Sequence, residues 1–200
     1  AATAALMLGM EYDEVFDTEK GQVYPQYKHA RSAAKEITFG IQYGMGDRTL
    51  AKKLGLTLRE ARREKRKWEE SFPKVVAWRE QSAQEGFRHE AMALPSGRTI
   101  IMDQRPTPQM CFNYPVQGTA ADVMYAALAE LDRRLDEAEI DAVPLLVVHD
   151  KVVLEASEAD AEKAAAVLQE AMIAGFKKLF PDGDTTNLVE AGICSTWADK

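Results

Sequence analysis

Residues 143–156 read VPLLVVHDKVVLEA. Two apolar runs rich in Val and Leu flank the polar triplet His149, Asp150 and Lys151. Such runs predict two strands joined by a turn. Asp is a favourable turn residue, so the triplet has two interpretations: a plain turn, or chemically active side chains at a hairpin tip.

The segments around this hairpin extend the pattern. Residues 158–180 carry apolar side chains at helical spacing and predict an amphipathic helix, and residues 187–194 predict a closing strand. Upstream, a long helix is predicted to begin or break near Pro115. This order of elements is typical of an antiparallel sheet packed by helices.

The first half of the chain predicts helices. Helical spacing extends from about residue 29 to 44, and a short helix over 47–54 ends at Gly55. Thr57 and Glu60 then form a capping box that opens the next helix. The chain as a whole therefore predicts an α+β fold, with a helical lobe ahead of an antiparallel sheet.

The charge of the chain is unevenly distributed. The 200 residues carry a net charge of −7, yet residues 28–79 hold 14 Lys and Arg against 6 Asp and Glu. Such a basic segment is typical of a phosphate-binding surface. The solvated face of a helix such as ARREKRKWEE is the alternative explanation, so charge alone leaves nucleic-acid binding open.

The composition indicates which cellular compartment and which kinds of metal site the sequence favours. No apolar run approaches the roughly 18–20 residues of a membrane span. Cys111 and Cys194 lie far apart without a CxxC, which favours a reducing cytoplasm and argues against zinc. The three histidines form no HExxH motif. The start, AATAALMLGM, lacks a basic n-region and predicts the tail of a helix in a fragment of a longer chain.

Residues 31–44, RSAAKEITFGIQYG, place two cationic and two aromatic side chains at four-residue intervals. On a helix these side chains form one stripe about 120° wide. They are Arg31, Lys35, Phe39 and Tyr43. Ala34, Ile37 and Ile41 fall on the opposite side, where a core needs apolar groups.

This stripe has two interpretations. In one, Phe39 and Tyr43 are core residues beside solvated cations. In the other, the cations grip a triphosphate and the rings meet its sugar and base. Gly40 and Gly44 favour the second, because an interior Gly costs a helix about 1 kcal/mol and leaves room beside the rings.

The pattern R-x3-K-x3-F-G-x2-Y-G resembles the fingers helix of family A DNA polymerases, the bacterial DNA polymerase I type. NYPVQGTAADVM (113–124) resembles that family's helix along the primer–template minor groove, and VVHD (147–150) its hairpin with a catalytic aspartate. GRTI (97–100) and AGICSTW (191–197) also have counterparts in order. The resemblance implies fingers in residues 1–116 and the C-terminal part of the palm in residues 117–200.

Roles at the incoming nucleotide follow from the resemblance. Arg31 and Lys35 would bind its phosphates, and Lys35 would also act in catalysis by protonating the leaving pyrophosphate. Phe39 would pack on its sugar and base. Tyr43 would stack near the templating base and check the geometry of the pair.

The resemblance also implies roles at the primer terminus and the metal site. Asn113 and Gln117 would hydrogen-bond to the primer–template, where minor-groove contacts tolerate any sequence. His149 would support the primer-terminal backbone in the catalytic site, and Asp150 would bind the catalytic Mg²⁺ ions. Two-metal transfer from a dNTP to the primer 3′-hydroxyl needs at least two protein carboxylates.

We therefore expect a DNA-directed DNA polymerase with two Mg²⁺ ions as cofactors and with primer–template DNA and dNTP as partners. The expected setting is cytoplasmic, without a membrane, as a monomer within a longer chain.

The chain departs from the family at the metal site. Nothing like the family's upstream DYSQIE motif occurs in residues 1–30, and there is no thumb, so we expect the isolated chain not to extend a primer. Lys151 stands where the family usually has Glu. Unit charges 4 Å apart interact by about 4 kcal/mol at an effective dielectric of about 20, so Lys151 would compete with Mg²⁺ if it pointed at Asp150. Ser32 and Gln109 replace Arg of many relatives.

Two other functions stay open. One is a catalytically impaired polymerase-like module that binds nucleotide or primer–template. The other is a DNA-binding helical protein of unrelated fold, which a C-terminal sheet packed by the 158–180 helix would discriminate. A phosphohydrolase built on the His-Asp pair would need more histidines than the chain has.

Overall fold

The computed structural model of the protein describes residues 2–102 and 105–196. The helices in these ranges are α1 (Ala2–Leu8), α2 (Tyr12–Val15), α3 (Lys28–Gln42), α4 (Asp47–Leu54), α5 (Leu58–Ser71), α6 (Pro73–His89), α7 (Pro108–Glu137) and α8 (Ala161–Leu179). The strands are β1 (Phe16–Asp17), β2 (Gln22–Val23), β3 (Ala91–Ala93), β4 (Thr99–Ile101), β5 (Ala142–Val148) and β6 (Lys151–Ala156). They pair consecutively as three two-stranded sheets.

The chain divides into two compact units. Unit 1 comprises the described residues up to Met92 together with those of Ile101–Tyr114. Unit 2 comprises Ala93–Ile100 and the described residues from Pro115 onward. The predicted α+β class is confirmed, because helices dominate the first unit and an antiparallel hairpin packed by helices lies in the second.

The core of unit 1 is built around α3. Ile37 and Ile41 are 1% exposed and pack with buried residues of the next two helices. These partners are Leu50, Ala51, Ala61 and Trp68. Ala34, on the same face of α3, belongs to a second buried cluster with Ala4, Ala5, Val15 and Val23. The apolar face predicted for this helix is therefore confirmed.

The residues predicted to end α4 and to begin α5 do so in the structure. Gly55 ends α4 at a φ of 65°, a left-handed conformation that glycine adopts without a Cβ penalty. Thr57 then caps α5: its side chain accepts a hydrogen bond from Glu60 N at 3.3 Å, and Thr57 N donates to Glu60 Oε2 at 2.8 Å. The capping box is confirmed.

The sheet of unit 2 is the antiparallel pair β5–β6. Val148 lies opposite Lys151, so His149 and Asp150 form a two-residue loop. Val152 and Leu154 pack against a buried cluster formed by Leu131, Leu135 and Ala171 of α7 and α8. One face of the hairpin is therefore covered by two helices, which disfavours the helical DNA-binding protein of unrelated fold.

Two details of the C-terminal part differ from the predictions. The strand predicted over 187–194 is wrong, since Asn187 has a φ of 54° and the segment belongs to no sheet. It is held by a hydrogen bond from Gln169 Nε2 to Val189 O at 3.0 Å. The long helix continues through Pro115. Trp197 of the AGICSTW segment lies outside the described residues.

None of the described helices is long and apolar enough to cross a membrane.

Helices α7 and α8 approach each other at Gly175. A Cβ added there would lie 2.5 Å from the backbone nitrogen of Ala127, which cannot move as a side chain would. We predict that Gly175→Ala lowers the free energy of unfolding by about 1–3 kcal/mol, the usual cost of overpacking, in denaturant titrations. Gly192→Ala is the matched control, because a Cβ at Gly192 meets nothing within 4 Å. Equal effects of the two substitutions would contradict the close approach.

Candidate functional site

The stripe on α3 faces away from the core. Phe39 is 47% exposed and Tyr43 is 50% exposed, which excludes the interpretation of these rings as core residues. Arg31 and Lys35 are also exposed. The structure therefore brings all four predicted nucleotide-binding residues onto one accessible face.

Lys35, Phe39 and Tyr43 form a continuous surface along this face. The Lys35 Nζ lies 5.6 Å from the centroid of the Phe39 ring, within the range of a cation–π contact. The Phe39 and Tyr43 rings are stacked, with centroids 6.5 Å apart and planes 30° from parallel. Along α3, the Lys35 ammonium is therefore followed by the adjacent aromatic rings of Phe39 and Tyr43.

The C-terminus of α3 fixes where Tyr43 lies. Gly44 N donates to Ile41 O at 3.0 Å and Met45 N donates to Gly40 O at 2.7 Å, the hydrogen-bond pair of a Schellman motif. Gly44 has a φ of 76°, the left-handed conformation that this motif requires. Tyr43 is the last residue before this reversal.

A cleft of about 500 Å³ lies along this surface. That volume is in the range of ligand-binding pockets. Its lining residues come from α3, from the turn after it and from α4. They are Ser32, Lys35, Glu36, Phe39, Gly40, Tyr43, Met45 and Lys53.

The lining includes residues that the sequence did not single out. Lys53 of α4 adds a second cation to the cleft, and Glu36 adds a carboxylate beside Lys35. Lys53 belongs to a separate helix, so no periodicity within α3 reveals it. The helical spacing of the apolar residues Leu50, Ala51 and Leu54 within 47–54, which leaves Lys53 on the solvent side, was the available signal.

The space beside the two glycines is taken by the protein itself, contrary to our expectation of room for a ligand. A Cβ at Gly40 would lie 3.1 Å from Met45 Cε, and one at Gly44 would lie 2.4 Å from Gln109 Cγ. The glycines therefore allow close packing of Met45 and Gln109 under the aromatic surface.

The predicted catalytic pair His149 and Asp150 lies exposed in the β5–β6 loop of unit 2. His149 has a φ of 57°, a left-handed conformation that costs a non-glycine residue about 1 kcal/mol or more. Lys151 is exposed and begins β6. Because side chains alternate along a strand, Lys151 lies on the face opposite Val152 and Leu154.

Asn113 and Gln117 are one turn apart on α7. Asn113 is half-buried and Gln117 is exposed. Asn113 belongs to unit 1, whereas Gln117, His149 and Asp150 belong to unit 2.

An ion pair in unit 2 holds α7 beside Gln117. Arg98 donates from Nε to Asp122 Oδ1 at 2.8 Å and from Nη2 to Gly118 O at 3.1 Å. The Ser96 hydroxyl donates to Asp122 Oδ2 at 2.5 Å. The sequence indicated GRTI as a motif but gave Arg98 no partner, because Asp122 is 24 residues away.

The carboxylates and histidines of the described residues form no group of three or more that could hold a metal ion.

Comparison of the sequence with known protein families shows which family the chain belongs to. The model of DNA polymerase family A matches residues 10–199. The chain belongs to DNA polymerase family A. Within the family it is 37% identical over 176 residues to the thermostable DNA polymerase I of Thermus caldophilus, covering 84% of this chain and 20% of that protein. It is 31% identical to DNA polymerase I of Pseudomonas aeruginosa, covering 98% of this chain and 21% of that protein.

A solved structure shares the fold. The POL domain of Pol1 from M. smegmatis, in complex with DNA primer-template and dNTP, matches with a TM-score of 0.71 and 22% sequence identity. The match covers 85% of this chain and 30% of that one. The chain spans about a fifth of the length of the DNA polymerase I proteins of Thermus caldophilus and Pseudomonas aeruginosa.

Asp122 makes the stability of unit 2 depend on pH. The hydrogen bond from Ser96, and after it that from Arg98, lowers the pKa of Asp122 below its ordinary value of 3.8. An acid whose pKa is lowered by folding stabilises the protein above its unfolded pKa, and this contribution is lost as pH falls through the folded pKa. We predict that below pH 3.8 the wild type loses stability more steeply than Asp122→Asn, in denaturant titrations at successive pH values.

Ser96→Ala removes the largest cause of this shift and should give an intermediate pH profile. Superimposable profiles for the wild type and Asp122→Asn would show that the carboxylate does not contribute in this way.

Proposed function

We propose that the chain supplies the fingers (residues 1–116) and the C-terminal palm (residues 117–200) of a DNA-directed DNA polymerase. The reaction is transfer of a nucleotidyl group from a dNTP to a primer 3′-hydroxyl. Membership of DNA polymerase family A supports this reaction class. The observation that carries the proposal is the exposed surface of Lys35, Phe39 and Tyr43 along a cleft of about 500 Å³.

The cleft suits a nucleoside triphosphate for chemical reasons. Lys35 lines the cleft and offers a compact point charge. Arg31, about one turn earlier on the same face of α3, offers a planar fork of donors, and both groups bind phosphate well. The Phe39 ring, one turn after Lys35, would pack on the sugar and base, and Tyr43 would stack near the templating base. Bound beside the phosphates, the Lys35 ammonium would also donate a proton to the leaving pyrophosphate.

The primer–template would be held by polar side chains on other elements. We assign Asn113 and Gln117 to minor-groove hydrogen bonds and His149 to the primer-terminal backbone, with Tyr43 at the template. The Arg98–Asp122 pair would keep the backbone next to Gln117 rigid, because Arg98 also binds Gly118 O.

Asp150 is the proposed metal ligand of this chain. The group implied by the family chemistry is a pair of Mg²⁺ ions, which would supply an activated primer hydroxyl and neutralise phosphate charge. The described residues offer one carboxylate at this loop, so the remaining protein ligands would come from elsewhere. Primer–template DNA and dNTP are the proposed partners, and a monomer in the cytoplasm is the proposed setting.

A catalytically impaired module that binds nucleotide or primer–template is the second candidate. The observation that favours it is the cation Lys151, which follows Asp150 directly and has no ion-pair partner among residues 2–102 and 105–196. An unneutralised positive charge beside the proposed metal ligand opposes the binding of a divalent cation.

The nucleotide site can be tested by equilibrium binding of a fluorescent deoxynucleoside triphosphate to the chain. We predict that Lys35→Ala weakens binding about tenfold or more, because a hydrogen bond to a charged group contributes about 1.5–3 kcal/mol. The same substitution should weaken the binding of inorganic triphosphate. Phe39→Ala should weaken the binding of the nucleotide but not that of inorganic triphosphate, because the ring would contact only the sugar and base.

Lys74→Ala is the matched control, since Lys74 is an exposed cation on α6 that does not line the cleft. A wild-type chain that binds the nucleotide no more tightly than Lys35→Ala and Phe39→Ala would refute the proposed site.

The role of Lys151 can be tested by titration of the chain with Mn²⁺, a spectroscopically visible substitute for Mg²⁺. We predict that Lys151→Glu raises the affinity at least about fivefold, because a single pair of exposed unit charges about 4 Å apart already interacts by about 1 kcal/mol in water. The substitution changes the charge by two, and the bound ion is divalent. Asp150→Asn should abolish this gain. Lys178→Glu, an exposed charge reversal on α8, is the control, and an equal gain there would show that the effect is only one of net charge.

A further inference from the structure

The cleft beside α3 contains a carboxylate between two ammonium groups. Lys35 and Glu36 line the cleft from α3, and Lys53 lines it from α4. An α-helix turns about 100° per residue, so Glu36 lies about 100° around α3 from Lys35. Ile37 lies about 100° further in the same direction and belongs to the buried cluster that joins α3 to α4. Glu36 therefore lies between the side of the cleft that carries Lys35 and the side that carries Lys53.

The protein does not neutralise the charge of Glu36. Its side chain is exposed and makes no hydrogen bond or ion pair with residues 2–102 and 105–196. Ser32, one turn earlier on the same side of α3, is already engaged, because its hydroxyl donates to Lys28 O at 3.1 Å. The carboxylate of Glu36 is therefore available to a ligand.

A metal-free triphosphate in this cleft would be repelled by Glu36. Lys35 and Lys53 would attract phosphate oxygens from the two sides, and a group that contacts both cations must cross the carboxylate. Triphosphate is strongly negative, so the Coulomb repulsion from Glu36 opposes its binding. Glu36 is therefore unfavourable for the proposed ligand unless a cation lies between the two groups.

A divalent cation carried by the triphosphate removes this repulsion. Mg²⁺ prefers oxygen ligands and is usually held by one or two carboxylates together with substrate phosphates and several waters. Glu36 offers one such carboxylate at the side of the cleft where the phosphates would lie.

A sugar hydroxyl is the other group that the carboxylate could bind, since it can donate a hydrogen bond. The position of Glu36 along α3 favours the cation. Glu36 lies only about 1.5 Å along the helix axis from Lys35, the proposed phosphate contact, whereas Phe39 lies about 4.5 Å beyond Glu36. Glu36 is thus level with the proposed phosphate position and not with the ring that would pack on the sugar.

We infer that Glu36 is a ligand of the divalent cation that a nucleoside triphosphate carries into this cleft. This inference rests on the proposed function, because the proposed orientation puts the phosphates beside Lys35. Glu36 makes the cleft select the metal complex of the nucleotide over the metal-free form. This contact is distinct from the proposed role of Asp150, which belongs to the other unit.

The experiment measures binding of a fluorescent deoxynucleoside triphosphate, and of inorganic triphosphate as its competitor, with Mg²⁺ and with a chelator. Glu36→Gln should bind both metal-free probes about fivefold more tightly, because a repulsion between negative charges is removed. It should bind both Mg²⁺ complexes at least about fivefold more weakly, because the attraction to a divalent cation is lost. The ratio of the affinity for the complex to that for the metal-free form should therefore fall by about 25-fold or more.

Glu80→Gln is the matched control and should leave this ratio unchanged. Glu80 is an exposed carboxylate on α6 that does not line the cleft and makes no hydrogen bond or ion pair with the described residues. Glu36→Asp keeps a carboxylate and should retain part of the preference for the metal complex. In the Asp150→Asn background, Glu36→Gln should lower the ratio by the same factor, because the two carboxylates act independently.

An unchanged ratio in Glu36→Gln would overturn the inference. Equal weakening of the metal-free and metal-bound nucleotide would also overturn it, because that result indicates a hydrogen bond to the nucleotide itself. Loss of the Glu36→Gln effect in the Asp150→Asn background would show that Glu36 does not contact the cation independently. If Lys35→Ala weakens nucleotide binding while Glu36→Gln leaves the ratio unchanged, the proposed function stands and the metal contact fails.

Discussion

Burial of one face of α3 is the constraint on which the rest of unit 1 depends. Ile37 and Ile41 are inserted into the cluster that joins α3 to α4 and α5, while Ala34 contacts the cluster formed with α1 and the β1–β2 segment. Close packing on both sides leaves α3 no freedom to rotate about its axis. Its other face must therefore point outward, and this face carries the cations and the rings. The exposure of Phe39 and Tyr43 follows from the packing of residues that do not touch the cleft.

The end of α3 extends this constraint to the shape of the cleft. The Schellman motif reverses the chain at Gly44 and brings Met45 back over Gly40, so the turn after the helix becomes part of the lining. The next helix then contributes Lys53. In unit 2, Arg98 donates hydrogen bonds to Asp122 and to Gly118 O. These bonds fix the backbone beside Gln117. In both units, residues outside the proposed contacts fix the backbone next to the residues that would make those contacts.

Local signals in the sequence predicted what depends on neighbours within a few residues. The bounds of α4, the capping box of Thr57 and Glu60 and the hairpin around His149 and Asp150 all belong to this group. The strand expected at 187–194 failed because an apolar run specifies a strand only where a partner offers hydrogen bonds, and here a side chain of α8 satisfies Val189 O instead. The sequence could not predict the partners of Arg98 or the position of Gln109 against Gly44, because the contacting residues are far apart in the sequence.

The sequence by itself determined the α+β class, the two-sided character of α3 and the presence of the His149–Asp150 loop, because periodicity and turn chemistry act over short distances. The tertiary structure alone decided that Phe39 and Tyr43 are exposed, that the glycine spaces are filled by Met45 and Gln109, and that Lys53 joins Lys35 in one cleft. Those outcomes depend on how separate helices pack, and packing is a property of side-chain volumes brought together across the chain.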